Sequence, residues 1–398
     1  MYGLRKLADV RVQRAALLAV AIVLVAYRLL QLVAVPAARW GYDFVYYWRA
    51  GRAILDGTPI YSAQQLAGPF APQGQEGFLY PPPVAALVAP LSAIFPTDFV
   101  PAAIVWSTIG AVLAGAVLLK LAETERLAER YPLLEGRWVW LILVAAFSLP
   151  PVIDEFINGN VHLYLVALLG LAWLGLKRGS AYGDLVGGSA IGVATMIKVF
   201  PALLILWMTL TARRRAPFWS LLAMLLLAAF TLPFTHFGPW LEYPRVLANL
   251  SAPTDTTAAF APTIWLAPLL GFEAARVVVT VAGLAVMVWS IFRNNDRTAF
   301  AVAVSLAVLI TPALWSHYLT VLLVPLLLAL AGGVAPAWLA VVYVLLSAGN
   351  QAALGDLAWI TIRAMPTAGA LLLVGLLVAK RRPGSRAPRQ PLASERPW

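Results

Sequence analysis

Residues 40–83 read WGYDFVYYWRAGRAILDGTPIY (40–61), then SAQQLAGPFAPQGQEG (62–77), then FLYPPP (78–83). The rest of the chain alternates apolar runs with short polar joints. This stretch instead places an acid, Asp43, before Tyr46, Tyr47, Trp48, Arg49 and Arg52. Over 44–55 the apolar Phe44, Tyr47, Trp48, Ile54 and Leu55 mix with the two arginines, which predicts an interfacial helix. Its aromatics would sit at headgroup depth and its arginines would reach toward phosphates. A carboxylate at the first turn lies near the positive end of the helix and is favoured in its ionised form. Asp is also a common helix cap, and a cap and a catalytic base are compatible roles.

Working outward, 398 residues that are 61% hydrophobic and 12% charged, with a mean hydropathy of +0.81, describe an integral membrane protein. The net charge of +11 is gathered at the ends of apolar runs: Arg5, Lys6, Arg11 and Arg14, then 213–215, Arg293 with Arg297, and 380–382. That is the positive-inside pattern and not a nucleic-acid footprint. The chain contains no cysteine, which excludes disulfides, thiolate nucleophiles and cysteine metal sites. The first apolar run lacks a cleavage pattern and reads as an uncleaved span.

The basic clusters place the N-terminus in the cytoplasm, send 15–35 outward and put 36–98 outside as a first extracytoplasmic loop carrying interfacial helices. Residues 84–95 are apolar but short and bracketed by prolines, which predicts a partial helix at the outer surface. Further spans are expected over 99–121, 138–152, 163–176, 218–234 and near 272–292, 298–312, 317–332, 334–348 and 361–379. Residues 185–210 carry Lys198 and Pro201 near their middle and read either as a hairpin of two short helices or as one long span. A long outer loop is expected over 236–262. The fold class is thus all-α and polytopic, with roughly 10–12 transmembrane helices. One membrane domain covers 1–380, and the basic tail 381–398 is expected to be disordered and cytoplasmic.

On this topology the unusual polar joints share the outer side: the Asp43 stretch, DEFINGNVH (154–162), MIKVFP (196–201) and the segment TPALWSHY (311–318). Ionisable groups at membrane depth are costly and usually functional. The simplest picture is one cavity open to the outer leaflet, lined by Asp43, Asn160, Lys198 and His317. Each joint also has a plainer reading: Asn158-Gly159-Asn160 is a turn signal, Lys198 a snorkelling lysine, His317 part of an aromatic belt. The three histidines, His162, His236 and His317, form no metal motif. Neither a phosphate loop nor a dinucleotide fingerprint nor a nucleophile elbow is present. No metal and no cofactor is expected, and the energy of any reaction should come from a membrane-borne activated donor.

Taken together, D-F-x-Y-Y-x-x-A-G-x-A-I-L-D-G-x-x-x-Y at 43–61 and F-L-Y-P-P-P at 78–83 resemble glycosyltransferase family 87. N-G-N at 158–160, I-K-V-F-P at 197–201 and W-S-H-Y at 315–318 extend the resemblance. It implies a GT-C fold and a polyprenyl-phosphate sugar donor, in the manner of cell-envelope α-mannosyltransferases. It implies that Asp43 is the catalytic base and that the neighbourhoods of Lys198 and His317 approach the lipid phosphate. The family's late motif often has a second histidine where this chain has Tyr318, so a two-histidine role does not carry over.

The chemistry suits these residues. An inverting transfer needs a carboxylate to take the acceptor hydroxyl's proton, a contribution of about 10²–10⁴-fold. Lys198 or Arg52 can stabilise the charge growing on the leaving phosphate. Tyr47, Trp48 and Tyr80 can offer a platform to a sugar, with Asn160 beside them. The expectation is a multi-pass plasma-membrane enzyme whose site faces outward and whose termini are cytoplasmic. It would move mannose, or arabinofuranose as a relative does, from a polyprenyl-phosphate donor to a glycolipid or envelope glycan, with the bilayer as its other partner. A polytopic transporter or lipid-linked-sugar flippase is the alternative, although no inverted repeat is visible; a non-catalytic envelope scaffold is a third class, and it gives no reason for Lys198.

Overall fold

The computed structural model describes residues 2–70, 77–251, 260–312, 314–348 and 356–379. The tail at 381–398 and the middle of the loop at 236–262 lie outside the described residues. Among the described residues every regular element is helical, as the composition requires in a medium where only self-satisfied backbone is stable. Among the described residues four helices are long and apolar enough to cross a bilayer: Val10–Ala34, Phe99–Thr124, Arg215–Thr235 and Phe272–Arg293. A fifth span results if Gly136–Phe147 and Pro150–Asn158, bent by 72° at their break, are counted together. The remaining apolar helices are shorter, Pro82–Ile94, His162–Leu176 and Ala181–Ile197 among them. Of the roughly 10–12 helices expected at ~20 residues each, then, few have full-span length; short and broken ones complete the path. Val20, Ile22 and Val23 on the first helix, and Leu225, Leu226 and Phe230 on Arg215–Thr235, point outward as a lipid-facing surface.

The molecule has two ends of different character. At one end basic side chains close helix termini. Arg14 Nη2 donates to Pro132 O at 2.7 Å, Lys177 Nζ to Thr124 O at 2.8 Å and Arg130 Nη1 to Ala331 O at 2.8 Å. Here the buried carboxylate of Glu125 meets Lys177 at 2.9 Å and Arg297 at 2.6 Å and accepts from Trp173 Nε1 at 2.8 Å. One acid thereby ties three helices together. The polar joints read from the sequence collect at the opposite end.

Residues 181–213 form the hairpin and not a single long span. The helix Ala181–Ile197 ends where Lys198 turns to extended backbone (φ −151°, ψ 137°), and Pro201 sits in the short turn that follows. The second arm, Leu203–Leu210, returns to the basic end, where Arg213 Nη1 donates to Leu176 O at 2.7 Å. Ala181–Ile197 runs parallel to Arg215–Thr235 at very close range, since Ser220 Oγ donates to Gly188 O at 2.7 Å. A Cβ on Gly192 would stand 2.3 Å from Ser220 O. Gly192→Ala should therefore cost ~1–3 kcal/mol as overpacking and lower the melting temperature in detergent. Gly375→Ala, which meets nothing within 4 Å, should leave it unchanged. Equal melting curves for the two variants would contradict the close approach.

The helix predicted after the first span is Phe44–Asp56. Its placement corrects one expectation. Phe44 and Tyr47 are covered by protein, both by Trp106 and Tyr47 also by Phe78 and Tyr80, while Gly51 packs closely on Ser92 and Ala89 of Pro82–Ile94. That second helix is itself largely buried along Val84, Ala85 and Val88, because the proline-bracketed apolar run finds protein instead of lipid to cover it.

Candidate active site

The site is assembled by three turns at the polar end. The first is the entry to Phe44–Asp56. Gly41 N donates to Ile157 O at 2.7 Å and Asp43 N to Asn158 O at 3.0 Å, which docks Asp43 on the end of Pro150–Asn158. That helix stops at Gly159 in the left-handed region (φ 67°), where a Cβ would also stand 2.7 Å from Phe44 Cβ. Only glycine satisfies both constraints. The second turn is FLYPPP: Tyr61 Oη donates to Tyr80 O at 2.7 Å and Gln65 Nε2 to Phe78 O at 3.0 Å, fixing Tyr80 over the cleft. The third is the 3₁₀ helix Ser316–Leu322, tied down by Ser316 Oγ donating to Asp154 and by Thr320 Oγ1 donating to Pro151 O at 3.0 Å.

Asp43, Asn160, Tyr80, Lys198 and His317 are brought together. Asn160 Oδ1 accepts from Val161 N at 2.8 Å and from Tyr80 Oη at 2.9 Å. A backbone N–H can only donate, so the amide orientation is fixed and Nδ2 faces Asp43, donating to Oδ2 at 2.7 Å. His317 Nε2 lies 3.3 Å from that amide nitrogen and 3.9 Å from Asp43 Oδ2. At the other end of the chain Lys198 Nζ donates to Tyr80 Oη at 3.3 Å and sits 3.5 Å from the centroid of the Tyr318 ring. Asp43 makes no capping bond to its own helix. Burial raises its carboxyl from the ordinary value for Asp, opposed by the Asn160 hydrogen bond and by Lys198. A base moved in that direction is better matched to proton transfer near neutral pH.

Three predicted residues stand elsewhere. Tyr47 is fully buried beneath Tyr80, ring centroids 4.8 Å apart and edge to face, so it supports Tyr80 and offers no face to a sugar. Trp48 turns the other way: its Nε1 donates to Phe95 O at 2.8 Å and its ring packs on Phe99. Arg52 pairs with Asp56 at 3.1 Å along its own helix. The i, i+4 spacing of Arg52 and Asp56 was the available signal for that pairing.

Sequence reasoning passed over Glu155 and His162, a fully buried pair in contact at 2.8 Å. The glycine turn at Gly159 folds the chain so that these residues meet, and no spacing rule marks such a contact. A cavity of ≈120 Å³ opens beside Lys198 and Tyr318, lined further by Phe200, Tyr243, Leu247 and Trp315. A larger one of ≈560 Å³ lies against Arg28, Arg39, Asp154 and Asn158, and Asp43 is not among its lining residues.

No curated protein and no solved structure matches the chain. The model of Glycosyltransferase family 87 matches residues 78–312, a span that includes Tyr80, Asn160 and Lys198 and leaves Asp43 and His317 outside it. Because that match covers more than half of the 398 residues, on an all-α fold with membrane-crossing helices, the chain belongs to glycosyltransferase family 87 and is a membrane glycosyltransferase.

Proposed function

We propose that the protein transfers mannose, with inversion, from a polyprenyl-phosphate donor to a hydroxyl of a glycolipid or envelope glycan on the extracytoplasmic side. The observation that carries this reading is the connected chain Asp43–Asn160–Tyr80–Lys198, with a carboxyl group at one end and a lysine Nζ at the other. An inverting displacement needs this polarity: a base for the attacking hydroxyl and a positive charge for the departing phosphate. In the reaction Asp43 accepts the acceptor's proton as the hydroxyl oxygen attacks the anomeric carbon. Asn160 orients the carboxylate, and Lys198 neutralises the charge that develops as the phosphate leaves. The aromatic and aliphatic lining beside Lys198 suits the first isoprene units of the donor.

Purified protein given polyprenyl-phosphate mannose and a glycolipid acceptor should form the mannosylated product, and a chelator should not slow it. No transfer from the lipid-phosphate donor, with transfer from a nucleotide sugar, would overturn the reading.

The side follows from the basic end of the molecule facing the cytoplasm. Gln64 is exposed, at the polar end and away from the network, in a chain that has no native cysteine. Gln64→Cys should react with a membrane-impermeant thiol reagent in intact cells. Labelling that appears only after permeabilisation would reverse the orientation.

A further inference from the structure

Behind Lys198 lies a buried ladder that the proposed chemistry leaves unused. Glu155 Oε1 accepts the backbone N–H of His162 at 2.5 Å and of Leu163 at 3.3 Å, while Oε2 lies 2.8 Å from His162 Nδ1. The other ring nitrogen, Nε2, lies 3.0 Å from Lys198 Nζ. Glu155 and His162 have no exposed side-chain surface, so solvent does not reach this line from behind.

The three groups have two self-consistent proton settings. In one, Glu155 is a carboxylate, His162 donates from Nδ1, and the Nε2 lone pair accepts from the Lys198 ammonium. In the other, Glu155 is a neutral acid donating to Nδ1, and Nε2–H donates to a neutral Lys198 amine. Both carry the same number of protons, and neither requires a charged imidazole. A lone ammonium or a lone carboxylate at this depth would be expensive, and the second setting avoids both.

We propose that Glu155 and His162 are positioning residues that supply the proton charging Lys198 when the donor's phosphate arrives. The inference rests on the reading of Lys198 as the phosphate-binding cation. As the phosphate approaches, Nε2–H passes its proton to Lys198 Nζ, and Glu155 Oε2 passes its proton to Nδ1. One N–H bond and one O–H bond break, two N–H bonds form, and the charge pair appears only when an anion is present to hold it. Among the described residues, the other charged or titratable groups around this line are Asp43, His317, Tyr47, Tyr80, Tyr164 and Tyr318, and all of them are common to the variants below.

This arrangement has a measurable signature in donor binding. A sugar phosphodiester keeps one charge across the neutral range, so binding to the wild type takes up no proton from solvent. Its Kd should stay flat between about pH 7 and 9, because the ladder holds the proton internally. In Glu155→Gln the proton must come from water, and Kd for polyprenyl-phosphate mannose should weaken by about tenfold per pH unit as pH rises. His162→Leu cuts the ladder without touching the backbone bonds of Glu155 and should show the same slope; it serves if Glu155→Gln does not fold. A flat Kd in a folded variant of either kind, alongside weakened binding in Lys198→Ala, would overturn the ladder and leave Lys198 in its role. Wild-type binding in Lys198→Ala would instead overturn the phosphate reading itself.

Discussion

Asp43→Asn is expected to be folded, to bind the donor, and to transfer sugar at least ~100-fold more slowly than the wild type. The substitution keeps the size of the side chain and its ability to accept from Asn160, and removes only its ability to take a proton. The fold should survive because the entry to this helix is held by the backbone, through Gly41 N to Ile157 O and Asp43 N to Asn158 O. A residue acting solely as a cap would cost at most ~1 kcal/mol of stability on substitution and leave turnover nearly normal. The pH profile gives a second readout. Burial raises the carboxyl of Asp43, so wild-type transfer should fall as pH is lowered, and at a higher pH than an ordinary Asp would give. That acid limb should be missing from the residual activity of Asp43→Asn. Full turnover in a well-folded Asp43→Asn would remove the carboxylate from the mechanism.

Lys198→Ala is expected to lower kcat/KM for the lipid-phosphate donor by roughly 10²–10³-fold, the scale lost when one stabilising group is taken from a developing anion. The protein should still fold, since the hairpin turn is set by the extended backbone at Lys198 and by Pro201. Lys198→Arg should recover little. The ammonium sits 3.5 Å from the Tyr318 ring centroid and 3.0 Å from His162 Nε2, and a planar guanidinium does not fit that compact position. Donor kinetics equal to wild type in Lys198→Ala would make the residue a snorkelling lysine.

The residues of the site differ in how plainly the sequence marks them. Asp43, Asn160, Lys198 and His317 stood out because polar groups in apolar surroundings are costly, and the alternation of basic clusters put them at one end. The structure places Asp43 and His317 on the amide of Asn160 and joins Lys198 to that amide through the Tyr80 hydroxyl. Tyr47 and Trp48 misled because an aromatic on an amphipathic helix looks the same whether it meets headgroups or a neighbouring helix. Tyr47 is covered by Phe78, Tyr80 and Trp106, and Trp48 is held by Phe95 and Phe99, contacts that only the tertiary fold creates. In the joint at 154–162 the turn signal Asn158-Gly159-Asn160 is the readable feature, and nothing in the spacing marks its acids as buried. In the structure Pro150–Asn158 is a helix, Asp154 accepts from Ser316, and Glu155 is buried on His162. The all-α polytopic fold was readable from the apolar runs, whereas a hydropathy window does not tell a full-length helix from a short or broken one such as Gly136–Phe147 with Pro150–Asn158.

Whether a lipid-phosphate sugar binds between Lys198 and Asp43 is answered by a structure of the protein with polyprenyl-phosphate mannose bound. The phosphate is expected within hydrogen-bond reach of Lys198 Nζ, with the isoprenoid chain leaving past Phe200, Leu247 and Trp315 and the anomeric carbon facing Asp43. A phosphate seated at Arg28 and Arg39 in the larger cavity, with the sugar remote from Asp43, would contradict the account.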